Sequence, residues 1–418
     1  MSGSEPSLRV GEPVWLADAG RPRRQYPILS RRLDTSVAIV GGGMTGALVA
    51  EAFASAGIAT VLLEGSLVGR GSTAASSALL LEEADLGLTD LSRRYGFARS
   101  RRIWQMSQNS VRELVTLLTR LRIVCDLQVR DAIYYATDPE AASRLRRECA
   151  LRTRAGFDAE WLDPKPLYRL TGISAQGAIR TRGSAQFDPY RGCLGLLHAA
   201  SLAGAEVYER SQVQHIRVDR NRVRVHTRHG VVHADRVVVA TGYATPRFRP
   251  LAGHFRMYRT YVLATGPLSA AERRRLGLSD VLLWDAERPY HYARWTADHR
   301  LLLGGGDRLV RPGSRRGPML AAATGELRAY FENQLPALRN VDTQLAWEGL
   351  FAMTPDSLPY IGPHRRYPRH WFALGYGGNG MTFGVLAARL LLERWQDGGS
   401  RDHDLFGFGR MRSRRQRN

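Results

Sequence analysis

The chain has almost no lysine. Of its 60 lysine and arginine residues only Lys165 is a lysine, and the formal net charge is +21. The arginines are scattered over the whole length, alongside heavy use of alanine, glycine and leucine. That reads as a bias for arginine over lysine on a solvated basic surface, rather than a stripe built for nucleic acid. Attraction of an acidic partner or of membrane headgroups is the other reading. One local run is dense, RMRSRRQRN at 410–418, and is expected to be a disordered basic tail. Cysteine is scarce too: Cys125, Cys149 and Cys193 are far apart, and no CxxC or Cys/His cluster exists. No metal site is expected, and buried thiols in a reducing compartment are. No apolar run reaches the ~18 residues of a membrane span. The N-terminal stretch MSGSEPSLRVGEPVWLADAG lacks the apolar core of about 7–15 residues that a signal peptide needs. Arg23-Arg24 and Arg31-Arg32 are twin arginines without such a core after them. A cytoplasmic protein is the expectation.

What is present is ample. A chain of 418 residues exceeds what one core usually serves, so two domains or two interleaved lobes are expected. Val37-Ala38-Ile39-Val40 is a continuous apolar run, as a buried parallel strand should be. Gly41-Gly42-Gly43-Met44-Thr45-Gly46 fits G-x-G-x-x-G. A small-residue helix follows over 47–56, Gly57 ends it, and Thr60-Val61-Leu62-Leu63 is a second strand closed by Glu64. Each part has a mechanical task. Gly41 permits the tight turn, Gly43 lets a pyrophosphate approach the backbone, and Gly46 lets helix and strand pack closely. The helix N-terminus offers free N–H groups to the phosphates. Glu64, 21 residues after Gly43, stands where an acid accepts from a ribose hydroxyl and disfavours a 2′-phosphate.

That spacing does not separate NAD from FAD; the rest of the chain bears on it. A stretch of small residues and hydroxyls, GSLVGRGSTAASSALL, follows Glu64. Prompt further β-α units are absent. An arginine-rich helical region near 89–121 carries apolar marks at Ile103, Met106, Val111, Leu114, Leu118 and Leu121, read as core packing. The alternating pattern resumes at Gln186-Phe187-Asp188-Pro189. There Asp188 is an N-cap and Pro189 the first position of a helix to about Leu202. Strands follow, ending with Val237-Val238-Val239-Ala240-Thr241-Gly242. A second glycine loop, GYGGNGMTFG at 375–384, follows the apolar run 371–374 and precedes a helix beginning near Thr382.

VAIVGGGMTG with Glu64, GRGSTAAS at 69–76, VVVATG at 237–242, MTPDSLPYIG at 353–362 and GYGGNGMTFG at 375–384 appear in this order. The ordered set resembles the D-amino-acid oxidase-like superfamily of FAD-dependent amine and amino-acid oxidoreductases. The nearest branches are the gamma-glutamylputrescine oxidase, sarcosine oxidase and glycine oxidase ones. The likeness covers about Val37 to Trp395. It implies an α/β fold: a Rossmann-like FAD-binding domain (33–88, 187–245 and 345–400) interleaved with an α+β substrate domain (89–186 and 246–344) whose sheet is mainly antiparallel. An N-terminal arm (1–32) and a basic C-terminal tail (401–418) complete the chain.

The resemblance also implies roles. Gly41, Gly43, Met44, Thr45 and Gly46 match the FAD pyrophosphate turn, and Glu64 the acid on the adenosine ribose. Gly71, Ser72 and Thr73 match the small-residue loop beside the phosphates, and Val213 the strand whose backbone meets the adenine. Thr241 and Gly242 match the ATG turn. Gly378, Asn379, Gly380, Met381 and Thr382 match the loop against the flavin ring, where a helix N-terminus would face the edge that becomes anionic on reduction. A tethering cysteine in the C-terminal third, as in the sarcosine oxidase branch, is missing. Ala75 stands near the position where dimethylglycine dehydrogenase relatives carry a histidine. Noncovalent FAD is therefore expected. Thr382 stands where some relatives have lysine, so oxygen and a quinone or carrier both stay open as acceptors.

On the substrate side, Tyr290 and Arg294 fit the glycine oxidase Tyr-x-x-Pro-Arg element, with Ala293 in the proline position. This makes Arg294 the expected clamp on a substrate carboxylate. Tyr258, Tyr292 and His291 are candidate aromatic walls. The activity implied is oxidation of a C–N bond in a small amine or amino acid by hydride transfer to flavin N5, giving an imine that hydrolyses, with no acid or base nominated. Two other readings stay open: an FAD-dependent tRNA-modifying oxidoreductase, which the charge would suit, and a flavin-bound subunit of a multi-chain dehydrogenase.

Overall fold

The computed structural model describes residues 8–17, 24–311 and 316–410. Two sheets organise it. In the eight-stranded sheet, Arg32–Val40 lies between Thr60–Leu63 and Val231–Gly242, parallel to both. Tyr367–Leu374 and Glu206–Tyr208 extend the parallel set on either side. Tyr360–His364 adds an antiparallel edge, and the hairpin His215–Val218/Val223–His226 attaches to the first part of Val231–Gly242. Parallel strands need cover on both faces. One face packs Ile39 and Leu62 against the helices Met44–Ser55, Pro189–Leu202 and Gly380–Asp397 through Leu48, Leu196 and Leu386. The other packs Ala38, Val61 and Leu63 against Val223, Val225 and Val232 of the hairpin region. Pro189–Leu202 starts as its sequence indicates: the Asp188 carboxylate accepts from Tyr190 N and Arg191 N at 2.9 and 3.0 Å.

The ten-stranded sheet runs, edge to edge, through Arg9–Gly11, Thr343–Met353, Arg256–Thr265, Leu301–Leu309, His291–Trp295, Leu282–Asp285, Gln128–Ala136, Gly177–Gln186 and Leu79–Leu80. Glu160–Leu162 branches from Gly177–Gln186. Neighbours are antiparallel except Leu282–Asp285 with Gln128–Ala136. Side chains alternate between its faces. Ile133, Leu263, Leu283, Ala293 and Leu303 pack toward Leu327 and Phe331 of the helix Arg316–Gln334. Tyr134, Val262, Trp284, Tyr292, Leu302 and Trp347 form a separate cluster. This second face lines the site.

The segment boundaries differ from the expectation in several places. Thr343–Met353 runs inside the ten-stranded sheet, paired over its length with Arg256–Thr265, although 345–400 was expected in the cofactor domain. Part of the expected arm is that sheet's edge strand, with Arg9 opposite Gly349. The helix Phe97–Arg120 buries Ile103, Met106, Val111, Leu114 and Leu118 in the same core as Phe53 and Leu386, so it belongs to the cofactor half. The start of the expected tail docks: Phe406 is buried, and Arg410 Nε lies 2.8 Å from Asp356 Oδ2. Residues 411–418 lie outside the described residues, as do 1–7 and 18–23 of the arm. No helix of the described residues is long and apolar enough to cross a membrane. Among them no group of three or more His, Cys, Asp or Glu could hold a metal ion.

Candidate active site

Between strand and helix the first glycine turn is constrained by backbone contacts. Gly41 has φ +110°, and a Cβ there would lie 2.7 Å from the Ala240 carbonyl oxygen. A Cβ on Gly46 would lie 1.9 Å from Gly41 O, so the helix could not sit down on the turn. Gly43 is the N-cap of Met44–Ser55, and its Cβ would meet only Thr73 Oγ1, at 3.1 Å. Met44 N donates to that same hydroxyl at 2.9 Å, which fixes the small-residue loop against the helix start. The Glu64 carboxylate accepts from Gly42 N at 2.7 Å and Ser66 N at 2.8 Å. Burial pushes its pKa up, against the pull of those backbone donors.

Most of these residues open onto one cavity of about 770 Å³. Its walls include Gly41, Gly43, Met44, Thr45, Glu64, Gly71, Ser72, Thr73, Val213, Thr241 and Gly242. They also include Gly378, Asn379, Gly380 and Met381, and Tyr258 and Tyr292. Two expected cofactor residues stand behind the walls. Gly46 serves the helix–turn contact, and Thr382, almost fully buried, donates its hydroxyl to Leu81 O at 3.1 Å. A narrow backbone cradle at Gly43, a helix N-terminus and an acid one strand away suit a dinucleotide's pyrophosphate and ribose. FAD fits the residues present.

The second glycine loop has a different reason for its glycines. Gly378 N donates to Asp85 Oδ2 at 2.7 Å, and Asn379 Nδ2 donates to Asp85 Oδ1 at 3.0 Å and to Glu83 O at 2.9 Å. A Cβ at Gly377 would fall 2.0 Å from Asp85 Oδ2, and one at Gly378 would fall 2.9 Å from Asp85 Oδ1 and 2.8 Å from the Tyr290 hydroxyl. Gly377 N also donates to Ala352 O, and Gly375 N to Gly242 O. The glycines let the loop wrap a carboxylate. The helix after it begins at Gly380, with Asn379 as its N-cap.

Arg294 and His291 do not line the cavity, which corrects both expectations. Along His291–Trp295 successive side chains alternate, so His291 points away from Tyr292. Its ring stacks on Tyr330 at 3.7 Å and pairs through Nδ1 with Asp285 Oδ2 at 2.8 Å. Arg294 shares Tyr292's face but lies two residues farther on, under the small-residue loop. Its Nε donates to Ser77 O at 2.6 Å and Nη2 to Phe187 O at 3.0 Å, and the Trp15 ring covers the guanidinium at 4.9 Å. Burial draws its pKa down to about 9, still charged at neutral pH.

Several lining residues carried no motif: Asp85, Thr260, Trp284, Arg288 and Asp307; Tyr290, the tyrosine of the Tyr-x-x-Pro-Arg element, lines the cavity although its arginine does not. Asp307 was the most visible of them in the sequence, since it ends the run Gly304-Gly305-Gly306 at the close of a strand. Beneath Glu83 lies a buried ion network. Arg152 contacts Glu83 Oε1 at 3.0 Å and Glu148 Oε1 at 2.9 Å, and Glu148 accepts from Leu88 N and Thr89 N, capping the helix Leu88–Tyr95.

With the turn, the cavity and the two sheets in place, the family follows: the chain belongs to the FAD dependent oxidoreductase family, whose model matches residues 36–394. It is an oxidoreductase that uses FAD. Among similar proteins, gamma-glutamylputrescine oxidoreductase of Escherichia coli is 27% identical over 371 residues, covering 88% of this chain and 85% of that protein. Glycine oxidase of Bacillus licheniformis is 25% identical over 369 residues, covering 87% and 93%. In fold, the crystal structure of glycine oxidase from Geobacillus kaustophilus superposes with a TM-score of 0.73 at 22% identity, covering 86% of this chain and 94% of that one.

Proposed function

We propose that this protein oxidises a C–N bond of a small amine or amino acid, giving an imine that water hydrolyses. The observation that carries the reading is one cavity walled by both the dinucleotide turn and the aromatic, hydroxyl-bearing face of the antiparallel sheet. The names of the relatives point the same way: gamma-glutamylputrescine oxidoreductase and glycine oxidase. FAD, when bound, supplies the two-electron acceptor for the hydride leaving the carbon beside nitrogen.

The chain's own residues do the rest. Gly43 and the start of Met44–Ser55 would hold the pyrophosphate, and Glu64 the ribose. The N-terminus of Gly380–Asp397 brings roughly half an elementary positive charge to the wall at Gly380 and Met381, where it favours developing negative charge. Tyr258 lies against Phe351, with ring centroids 5.8 Å apart. Both line the cavity with Tyr292, and they orient the substrate and exclude water. Among the described residues no cysteine or histidine lines the cavity, which supports a noncovalent cofactor. Acid precipitation then leaves the yellow colour in the supernatant; colour kept in the pellet would refute noncovalent binding.

The decisive experiment is anaerobic mixing of the flavin-loaded protein with a panel of amines, amino acids and polyamine derivatives. Bleaching of the flavin absorbance by at least one amine is expected. A flavin untouched by the whole panel would overturn the reading. Readmitting air separates oxygen from a quinone or carrier as acceptor by the speed of recolouring.

A further inference from the structure

The substrate wall holds carboxylates where the sequence led one to expect a guanidinium. We propose that Asp85 and Asp307, with Tyr290 beside both, form a subsite for a substrate ammonium group, so that the preferred substrate is an amine bearing a second positive charge rather than an α-amino acid gripped by its carboxylate. This rests on the amine-oxidation reading and names its substrate class.

Asp85 and Asp307 come from distant parts of the chain and line the same cavity. Asp85 spends its oxygens on Gly378 N and Asn379 Nδ2, both neutral donors. Asp307 has the Thr260 and Tyr290 hydroxyls beside it, while its Oδ1 is buried with no hydrogen-bond partner. The Tyr290 hydroxyl and Asp85 Oδ1 both lie within 3 Å of the space a Gly378 Cβ would take, 2.8 and 2.9 Å away. Burial lifts the Asp85 carboxyl to about 6 and the Asp307 carboxyl to about 7, and the charge of Asp85 adds to the lift on Asp307. Two half-buried carboxyls on one cavity, opposed only in part by Arg288 at Asp85 and by the His291 ring at Asp307, are relieved by a cation placed between them.

The surroundings agree. Trp284 lines the cavity and stacks on Tyr134 at 3.7 Å and 6°, and Tyr258 and Tyr292 add further ring faces; aromatic walls of this kind favour cations. The basic lining residues, Arg247 and Arg288, are exposed. Arg288 donates from Nη1 to Glu287 O at 2.8 Å, and its charge offsets only part of what burial does to Asp85. Arg294 is committed elsewhere, as described above.

The test compares 1,4-diaminobutane with butylamine on the flavin-loaded protein, reading half-saturation of anaerobic flavin reduction. The wild type is expected to prefer the diamine at least tenfold. Asp307→Asn should cut that ratio at least tenfold, and Asp307→Glu should restore part of it. Should Asp307→Asn not accumulate, Asp85→Asn and competition by tetramethylammonium against acetate on the wild type give the same answer: the cation competes and acetate does not. Flavin reduction by amines without preference for the second charge, or with a preference that Asp307→Asn leaves intact, overturns this inference alone. Reduction by amino acids alone, with no amine accepted, also overturns this inference alone; if nothing in the panel reduces the flavin, the functional reading falls and this one with it.

Discussion

The cavity walls proposed to hold the cofactor and those proposed to meet the substrate are built on different principles. On the cofactor side, Gly41, Gly43, Met44 and Thr45 come from one turn, with Glu64 at the end of the next strand. Its geometry is set by backbone clearances such as the 1.9 Å between a Gly46 Cβ and Gly41 O. On the substrate side, Asp85, Tyr258, Trp284, Tyr290, Tyr292 and Asp307 arrive from separate strands and loops and act through side chains. A backbone cradle must be contiguous in sequence, so it leaves a motif. A side-chain pocket needs only the right register between strands, so it leaves none.

The contrast can be broken at several points. Gly46→Val carries the largest expected effect. The contact is with backbone that cannot yield, so the purified variant should hold almost no flavin, measured as the flavin-to-protein absorbance ratio. Full flavin content would mean the turn does not depend on that clearance. Arg294→Ala comes next. It strands the carbonyls of Ser77 and Phe187 and removes the cation from Trp15, so it should cost about 2 kcal/mol in urea or thermal unfolding. The ranking of substrates should not change. A tenfold higher KM confined to amino acids, with stability intact, would return Arg294 to the carboxylate role. The smallest effect is expected from Trp15→Ala. Trp15 Nε1 donates to Ser76 O at 2.8 Å, and nearby Leu8 lines the cavity and would meet a Gly71 Cβ at 2.8 Å. Loosening this strap should cost on the order of 1 kcal/mol, roughly a fivefold rise in the Kd for FAD. An unchanged Kd would show that the segment is not part of the cofactor's enclosure.

Much of the architecture was legible. The apolar runs 37–40 and 237–240 are central parallel strands, and Asp188 caps the helix where the Asp-Pro pair indicates. The stripe on Phe97–Arg120 was rightly read as a core face. Periodicity names the buried face of a helix but not its partner, and this face packs on the cofactor half. Arg9–Gly11 fell within the expected arm and most of Thr343–Met353 within the expected cofactor segment; neither was read as a strand, and position along the chain does not say which sheet a segment joins. His291 and Arg294 show the limit at one residue. Alternation explains His291. Arg294 needed knowledge that Ser77, Phe187 and Trp15 close over that end of the strand.

The late glycine loop shows both sides. Its glycines, and the helix start behind them, are written in GYGGNGMTFG, because local backbone conformation is a local property of sequence. That the loop wraps Asp85, and that Asp85 and Tyr290 meet beside it, was decided only when segments nearly 300 residues apart came together. The sequence alone determined the cofactor turn, the parallel strands and the family, since each rests on neighbouring residues in fixed order. The tertiary structure decided the charge of the proposed substrate wall, since that depends on which side chains the strand register leaves facing the cavity.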